Sequence, residues 1–498
     1  MIDIAICIVP KIDPYAPTAG PSALKAQLES EGFSCKVLDF NIDLYNFLDR
    51  QRLAKHYYFE DDSVFENYIL NEADKEFKYP DDFNEFYSII EPAVMSWIAD
   101  LKAINAPWVG LSLLSSFSCA VATKLCELIR KHLPATKIVI GGGYVQGYNQ
   151  LWVDNGIVDY FIFGDGEHSL TELLRGNVTA PGINTSTPTQ VKDLDSLLTP
   201  DYSDIDWSKY QTYDNETIIY VTGSRGCVKR CTFCDVPIIW PNYTYRSGPH
   251  IANEIFDVVT KYNRQVVRFT DSLINGSMRA FRELLNILKD YNATQPDYSK
   301  QIKWQSQWIV RPKNQSPEED FALMKASGVK ELEIGVESFS QSVRYHMGKK
   351  FADEDLWWCL EMLHKYEIPY TLLMIVGYPT ETAEDHQTNI SALHRMRELG
   401  YLPGKGSNSP TLPYVSFGNT MLLSPGQKAY KLVEDELEYY VSDTDWKYKG
   451  NDLQTRLTRF IEINELVGEL TTQPVSWMIE KARRQYEESL AASKHINT

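Results

Sequence analysis

The chain has 498 residues and carries 49 lysines and arginines against 67 aspartates and glutamates, which gives a formal net charge of −18 at pH 7. A general nucleic-acid-binding protein needs a basic face, so this charge argues against a nucleic-acid partner. Hydrophobic residues make up 43% of the chain, enough for the cores of two or three domains, and no apolar run reaches the roughly 20 residues of a membrane span.

Residues 1–190 predict a Rossmann-like domain. Strand-like apolar runs alternate with helix-like amphipathic runs, a pattern typical of a doubly wound parallel sheet in an α/β protein. The first run, MIDIAICIVP, lacks the basic flank and cleavage site of a signal peptide, so we interpret it as the first strand of a cytoplasmic protein with no membrane partner. A segment at about 44–105 is expected to be a mainly helical insertion. The expected strands lie at 3–9, 35–40, 108–114, 137–143 and 159–167.

Residues 191–215 are polar and predict a linker, after which a second strand–helix series occupies residues 216–400. This series is compatible with a partial (β/α) barrel. The stretch GYLPGKGSNSPTLP is loop-like, and the remainder of residues 401–498 predicts a mainly helical extension that covers the barrel mouth and shapes the choice of substrate. The expected barrel strands lie at 216–224, 266–271, 302–309, 331–338 and 370–379.

Three of the eight cysteines lie together in the stretch RGCVKRCTFCDVP, residues 225–237. Cys227, Cys231 and Cys234 are spaced C-x3-C-x2-C on the loop after the first expected barrel strand. Three thiolates can bind zinc or an iron–sulfur cluster, but both usually take four protein ligands. A set of three therefore leaves one position open, where a substrate or cofactor can bind. The other cysteines, which we interpret as small buried apolar residues, are Cys7, Cys35, Cys119, Cys126 and Cys359.

This cysteine spacing, with Phe233 before the last cysteine and a strand before the loop, resembles the radical S-adenosylmethionine (SAM) superfamily. The resemblance implies that the three cysteines hold a [4Fe–4S] cluster whose fourth iron is chelated by SAM. It also implies reductive cleavage of SAM to a 5′-deoxyadenosyl radical, with the electron supplied by a flavodoxin- or ferredoxin-type partner. Zinc or a purely structural cluster is the alternative that the spacing alone leaves open.

Three stretches after the cysteines resemble the SAM-contacting strand ends of the same superfamily: RFTDSLINGS, IGVES and IVGYPTET. Each has a simpler interpretation, namely Asp271 as a helix cap, Glu337 as the buried partner of a neighbouring arginine such as Arg311, and Gly377 as part of an ordinary turn. Arg311 could equally hold the SAM carboxylate. The expected SAM-binding residues are Phe233, Asp271, Ser272, Arg311, Glu337, Ser338 and Gly377.

Small residues follow several strands of the first domain, and their order along the chain resembles the cobalamin-binding domain that precedes the radical SAM core in one large subclass. Small side chains at a sheet edge leave room for a bulky ligand. The domain lacks the motif Asp-x-His-x-x-Gly, so a histidine ligand to cobalt is not expected. A Rossmann-like domain that no longer binds cobalamin is the alternative. The expected cobalamin-binding residues are Ser112, Ser115, Ser116, Gly141, Gly142, Gly143, Gly164, Gly166 and Glu167.

Together these resemblances predict a radical SAM enzyme that methylates an unactivated carbon atom of a small-molecule or peptide substrate. SAM would be both radical source and methyl donor, and cobalamin the second cofactor. A non-methylating radical SAM cyclase or tailoring enzyme is one alternative. A non-catalytic iron–sulfur electron-transfer protein is another.

Overall fold

The computed structural model describes residues 1–60, 63–65, 69–71, 76–78, 81–146, 149–402, 413–471 and 473–496. Most of the loop-like stretch predicted after residue 400 lies outside these residues. The chain divides into two compact units: the first contains residues 1–226, 238–246 and 253–268, and the second contains residues 227–237, 247–252 and 269–498. Among the helices that the structure describes, none is long and apolar enough to cross a membrane.

Strands and helices alternate along residues 1–226. The strands are β1 (Ile4–Ile8), β2 (Cys35–Asp39), β3 (Ile69–Asn71), β4 (Glu76–Lys78), β5 (Trp108–Ser112), β6 (Lys137–Gly141), β7 (Tyr160–Phe161), β8 (Ile218–Val221) and β9 (Ser224–Arg225). The helices are α1 (Ala19–Ser30), α2 (Phe40–Arg50), α3 (Asp81–Ile104), α4 (Cys119–His132), α5 (Gln150–Asp154) and α6 (Gly166–Leu174).

The first unit is built on a five-stranded sheet in the order β2-β1-β5-β6-β7, and every neighbouring pair is parallel. Alternate side chains of β1 enter two different apolar cores. Ala5 and Cys7 pack with residues of α2, α3 and α4, whereas Ile4 and Ile6 pack with residues of α1 and α6. Helices on both faces explain why β1 is apolar throughout. The predicted Rossmann-like, doubly wound sheet is confirmed.

The segment between β2 and β5 contains more than helix. Its largest element is α3, whose apolar side buries Phe86, Val94 and Trp97. Shorter helical turns lie at His56–Glu60 and Ser63–Phe65, and β3 pairs with β4 in an antiparallel hairpin. The predicted insertion therefore includes a hairpin as well as helices.

The elements of residues 227–498 continue the alternation. The strands are β10 (Thr244–Tyr245), β11 (Val266–Phe269), β12 (Lys303–Trp308), β13 (Val329–Glu337), β14 (Tyr370–Val376), β15 (Tyr414–Thr420), β16 (Tyr439–Tyr440) and β17 (Trp446–Lys447). The helices are α7 (Val236–Ile239), α8 (Gly248–Tyr262), α9 (Met278–Ala293), α10 (Glu318–Ala326), α11 (Gln341–Met347), α12 (Asp353–Lys365), α13 (Ala383–Glu398), α14 (Lys428–Lys431), α15 (Leu453–Leu470) and α16 (Ser476–Ile496).

The second sheet has the strand order β15-β14-β13-β12-β11-β8, which follows the order of the chain. The pairs from β12 to β15 are parallel. Helices α9, α10, α12 and α13 lie between successive strands along the chain, as β/α units require. The predicted partial barrel is confirmed, with β8 and β15 as its edge strands.

The C-terminal region is mainly helical, as predicted, and it also contributes β15 to the sheet. The sequence analysis did not anticipate this strand because its stretch YVSFGNT contains Ser416, Gly418 and Asn419, of which glycine and asparagine are depleted in strands. After β15 the chain forms the antiparallel pair β16–β17 and then α15 and α16.

Candidate active site at the cysteine loop

The three clustered cysteines lie on one short loop that runs from Gly226 to α7. Each is a free, half-buried thiol. The backbone N–H of Cys234 donates to the carbonyl of Cys231 at 3.4 Å, and the N–H of Lys229 donates to the Sγ of Cys227 at 3.4 Å. Burial raises the pKa of Cys231 to about 11 and also raises the pKa of Cys234. The loop alone therefore does not favour thiolates, and bound iron would supply the missing positive charge.

This donor set fits an iron–sulfur cluster. Each thiolate of a [4Fe–4S] cluster binds a different iron, so the three sulfur atoms need not converge on one point. Within the described residues, no three His, Cys, Asp or Glu side chains are grouped closely enough to hold a single metal ion. The loop offers three thiols, whereas a structural zinc site usually takes four protein ligands, so the number of donors suits a cluster with one open position.

A buried ion pair lies beside this loop. Glu337, the last residue of β13, places its Oε1 2.8 Å from the Nζ of Lys349, and Lys349 also donates to the carbonyl of Gly335 at 3.0 Å. A Cβ on Gly335 would lie 2.6 Å from both charged groups, so glycine leaves room for the pair. Glu337 has a φ of +67°, a left-handed conformation that its surroundings must hold. The cation that pairs with Glu337 is Lys349 rather than Arg311, which corrects the alternative stated above.

Arg311 instead holds a neighbouring turn. Its Nη2 donates to the carbonyl of Asn275 at 2.6 Å and to that of Gly276 at 2.8 Å. Burial and the positive charge of Arg311 lower the pKa of Lys229, which is a residue of the cysteine loop. Arg311 therefore lies on the side of the cysteine loop, and a contact with the SAM carboxylate stays a prediction.

Asp271 and Ser272 follow β11 directly, at the start of the turn that Arg311 holds. Asp271 is 2% exposed and Ser272 is half-buried. Their contacts with SAM stay predictions.

The turn after α11 packs against the cysteine loop. The carbonyl of Met347 accepts the N–H of Thr232 at 2.9 Å. Gly348 caps the helix with a φ of +84°, and a Cβ there would lie 3.1 Å from the carbonyl oxygen of Arg230 and 3.4 Å from the Cα of Cys231. Gly348 thus allows the close approach, and Lys349 next to it supplies the cation. The sequence reasoning missed both residues, because a glycine that ends a helix is explained equally well as a C-cap.

Gly348→Ala is expected to lower the iron content of the reconstituted protein, whereas the matched change Gly400→Ala is not. Both glycines have a positive φ, +84° and +74°, so alanine costs about 1 kcal/mol of folding free energy at either position. Only at Gly348 does the new methyl group also press on the cysteine loop, since the nearest atom at Gly400 is the Cε1 of His364 at 4.0 Å. Iron per protein and the thermal midpoint measure the two effects. Equal iron contents in the two variants would contradict a role for the close approach.

A second loop, residues 377–381, also reaches the cysteine loop. Gly377 has a φ of +79°, and its N–H donates to the Oε2 of Glu381 at 3.1 Å. The next residue, Tyr378, is 3% exposed, and its hydroxyl lies 2.8 Å from the Oγ1 of Thr232. This loop, which resembles a SAM-contacting strand end, is therefore tied to the residue that follows Cys231.

The hydroxyl of Ser338 serves the fold. Ser338 is fully buried; its Oγ lies 3.3 Å from the Oδ1 of Asn389 and accepts the N–H of Ser340 at 3.2 Å. A contact of Ser338 with SAM stays a prediction.

Phe233, one of the expected SAM-binding residues, packs on an apolar group that comes largely from the C-terminal region. The ring therefore anchors the cysteine loop from one side. The buried members of the group are Val343, Met347, Tyr378, Met421, Leu423, Ala429, Val433, Trp446 and Tyr448.

At the edge of the first sheet, two of the predicted cobalamin-binding glycines have a structural explanation. A Cβ on Gly142, with a φ of +114°, would overlap the carbonyl of Leu113, and one on Gly164, with a φ of +92°, would overlap the carbonyl of Thr189. These glycines therefore permit close backbone approach. Ser112, Gly141 and Gly143 are half-buried at strand ends of the same sheet, as are Ser115 and Ser116 after β5 and Gly166 at the start of α6. Their contact with cobalamin stays a prediction.

Glu167 is engaged in a buried ion pair within the first unit. Its carboxylate pairs with Arg225, whose Nη1 also lies 3.0 Å from the Oδ2 of Asp165. Trp240 donates its indole N–H to Asp165 at 2.8 Å. Burial alone would raise the pKa of Glu167, but the Arg225 guanidinium lowers it below the usual value. Its carboxylate is thus already paired, and a cobalamin contact stays a prediction.

A three-thiol loop after a strand of a parallel β/α sheet is typical of metal-cluster enzymes built on a partial barrel, and this protein has that arrangement. The family model of the radical SAM superfamily matches residues 221–392 of this chain. The predicted identification is thereby confirmed. The predicted [4Fe–4S] cluster and SAM are the cofactors of this superfamily, and the cysteine loop fits them.

The curated relatives are distant. A ribosomal protein uS12 methylthiotransferase, RimO, from Carboxydothermus hydrogenoformans is 24% identical over 237 residues, which are 44% of this chain and 52% of the relative. A tRNA-2-methylthio-N(6)-dimethylallyladenosine synthase from Aquifex aeolicus is 22% identical over 389 residues, 73% of this chain and 83% of the relative. The chain spans about half the length of the first relative. One name specifies a tRNA nucleoside, so the relatives do not support the prediction against a nucleic-acid partner.

Two solved structures share the fold. The radical SAM methyltransferase TsrM from Kitasatospora setae, with cobalamin and a [4Fe–4S] cluster bound, is 17% identical with a TM-score of 0.56, over 80% of this chain and 70% of that one. The cobalamin-dependent SAM radical enzyme OxsB, with aqua-cobalamin bound, is 14% identical with a TM-score of 0.66, over 93% of this chain and 66% of that one.

Proposed function

We propose that this enzyme holds a [4Fe–4S] cluster at Cys227, Cys231 and Cys234, cleaves SAM reductively, and methylates an unactivated carbon atom with cobalamin as a second cofactor. The three-thiol loop with one open ligand position carries the proposal. When bound, the cluster supplies one electron to SAM, and the resulting radical chemistry makes hydrogen abstraction from an unactivated carbon accessible.

The residues around the loop would bind and orient SAM. Glu337 would accept hydrogen bonds from the ammonium group or the ribose hydroxyls, while Lys349 holds its carboxylate at Oε1. Lys349 also brings a buried positive charge close to the thiolates, which favours the anionic cluster. The remaining residues proposed to contact SAM are Phe233, Asp271, Ser272, Arg311, Ser338 and Gly377.

The proposed cobalamin site is the edge of the first sheet. Its support is the fold shared with TsrM and OxsB, two proteins solved with cobalamin, together with the half-buried small residues Ser115, Ser116 and Gly143. Small residues at the carboxyl ends of parallel strands leave space for a ligand at the usual binding edge of such sheets. No histidine ligand to cobalt is proposed.

The proposed partners are a small-molecule or peptide substrate and a flavodoxin- or ferredoxin-type electron donor. The formal net charge of −18 still speaks against a general nucleic-acid-binding surface. The relative named for a tRNA nucleoside favours assaying a tRNA substrate beside small molecules and peptides.

Anaerobic reconstitution with iron and sulfide, followed by reduction in the presence of SAM, tests the proposal. Chromatography would measure 5′-deoxyadenosine and S-adenosylhomocysteine with and without added cobalamin. Both products in the presence of cobalamin support the methyltransferase. Formation of 5′-deoxyadenosine alone, with substrate present, would favour a non-methylating radical SAM enzyme, and a reduced cluster that leaves SAM intact would favour an electron-transfer protein.

The curated relatives favour a second candidate, methylthio transfer, because both carry it in their names. This reaction adds a sulfur atom together with the methyl group. The mass of the modified substrate separates the two candidates, since it shows whether a methyl or a methylthio group was gained.

A further inference from the structure

The C-terminal region donates hydrogen bonds to the loop at residues 377–381. Asn451, which is 3% exposed, lies just after the β16–β17 hairpin. Its Nδ2 donates to the carbonyl of Gly377 at 3.2 Å and to that of Tyr378 at 3.0 Å. One C-terminal side chain therefore satisfies the first two carbonyls of a loop that is proposed to contact SAM.

Arg459 of α15 holds the other end of this loop. Its Nη1 donates to the carbonyl of Glu381 at 3.0 Å and to the Oε1 of Glu381 at 3.1 Å. The second carboxylate oxygen of Glu381 accepts the N–H of Gly377, so the arginine orients that N–H through the carboxylate. The Glu381 side chain is fully buried, and burial raises its pKa to about 7. A carboxylate in such a place needs its cation to keep its orientation.

Arg456, one turn earlier in α15, fills the space behind Gly377. It is fully buried, lies 3.6 Å over the ring of Trp446, and donates to the carbonyls of Trp446 and Asn451. A Cβ on Gly377 would overlap its side chain. The glycine loop thus rests directly on the C-terminal region.

The same region holds the cysteine loop. The N–H of Ala429, in α14, donates to the carbonyl of Thr232 at 2.7 Å. The side chain of Gln427 is hydrogen-bonded to Asp235, the residue after Cys234. Thr232 follows Cys231 and Asp235 follows Cys234. The backbone positions of these cysteines therefore depend on contacts with the C-terminal region.

We propose that the C-terminal segment 427–459 positions the cysteine loop and the glycine loop for SAM, and that Arg459 is a positioning residue for SAM binding. The inference rests on the proposed function and deepens it. It differs from the expectation that this region acts chiefly by covering the barrel mouth and selecting the substrate. Loss of Arg459 frees the Glu381 carboxylate and thereby the N–H of Gly377, while the three thiols keep their own contacts.

The test compares Arg459→Met with Arg483→Met in the full-length, reconstituted protein. Arg483 lies on α16, its side chain is 58% exposed, and it pairs with Glu465 at the surface, so it is a matched control for removing an arginine from an ion pair. Equilibrium dialysis with labelled SAM gives the Kd, and 5′-deoxyadenosine formation gives KM and kcat. We expect Arg459→Met to raise the Kd and KM about tenfold, as the loss of one buried charge-assisted contact does, with kcat changed by less than about twofold. Iron content should stay at the level of the control.

Arg459→Lys provides a second measurement should the methionine variant fold poorly. Lysine keeps the charge but carries it on a flexible amine in place of the planar guanidinium, so it holds the carbonyl and the Oε1 of Glu381 less firmly, and we expect a Kd about threefold above that of the wild type. A folded Arg459 variant that binds SAM as tightly as Arg483→Met would overturn the inference and leave the proposed function standing. A wild-type protein that retains neither cluster nor SAM would overturn both.

Discussion

Replacing Cys227, Cys231 and Cys234 together with alanine is expected to reduce iron and sulfide to background and to abolish 5′-deoxyadenosine formation. Each single replacement should have nearly the same effect, because a three-thiol site has no spare protein ligand. Burial raises the pKa of Cys231 to about 11, so iron must displace its proton on binding. The two thiols that remain in a single variant are too few to hold the cluster. Iron and sulfide analysis, the visible spectrum and chromatography check this result.

Cys359→Ala is the matched control. Cys359 is a buried thiol of α12 whose pKa is raised by burial alone, with no neighbouring cysteine contributing. Its replacement leaves only a small cavity, so we expect wild-type iron content and a modest loss of stability. A triple alanine variant that still binds iron and forms 5′-deoxyadenosine would refute the assignment of the cluster.

Both sheets could be predicted from sequence because their strands are short apolar runs separated by amphipathic helices. The pattern is local: β1 is apolar on both faces because helices cover both, and its five residues are all buried. The strand β15 escaped prediction because its pairing with β14 overrides a composition that includes Gly418 and Asn419.

The cysteine loop could also be predicted, since its three ligands lie within eight residues. The partner of Glu337 could not. Lys349 comes twelve residues later, beyond a helix, and only the fold of the turn at Gly348 brings it back beside Cys231. The sequence pattern predicts that a charged residue lies at the end of a strand. Which residue pairs with that charge depends on the element that packs against the strand end in the folded protein.

The same reasoning applies to Glu167 and to the glycines of the first sheet. Glu167 is paired with Arg225, which lies 58 residues away in the chain. Gly142 and Gly164 were interpreted as room for a ligand, yet each is required where two backbones meet. Small residues at a strand end are ambiguous from sequence, because close packing and ligand space demand the same side chains.

The contacts of the C-terminal region were the hardest part of the structure to predict from the sequence. Its helices could be predicted, but the hydrogen bonds from Asn451 and Arg459 to residues 377–381 join segments more than seventy residues apart. Neither residue belongs to a recognisable motif. Long-range contacts of this kind are set by packing and leave no local periodicity to detect.

Ser115→Trp is expected to weaken retention of cobalamin about tenfold or more. Ser115 is half-buried after β5, beside the carboxyl end of the first sheet. A bulky ring there occupies the proposed ligand space, and overpacking a contact surface costs about 1–3 kcal/mol. Lys137→Trp is the control, because Lys137 is exposed at the opposite, amino end of β6 and faces no proposed ligand. Both proteins would be loaded with hydroxocobalamin, desalted, and assayed for bound cobalamin by absorbance.

The same pair of variants tests whether cobalamin serves methyl transfer. Wild-type protein and Lys137→Trp should form S-adenosylhomocysteine with substrate only when cobalamin is present, whereas Ser115→Trp should form little under either condition. All three should retain iron and cleave SAM reductively, because the cysteine loop belongs to the second unit and Ser115 to the first. If wild-type protein retains no cobalamin, or forms S-adenosylhomocysteine equally well without it, the first sheet is a Rossmann-like domain that no longer binds cobalamin, and the methyl group reaches its substrate by another route.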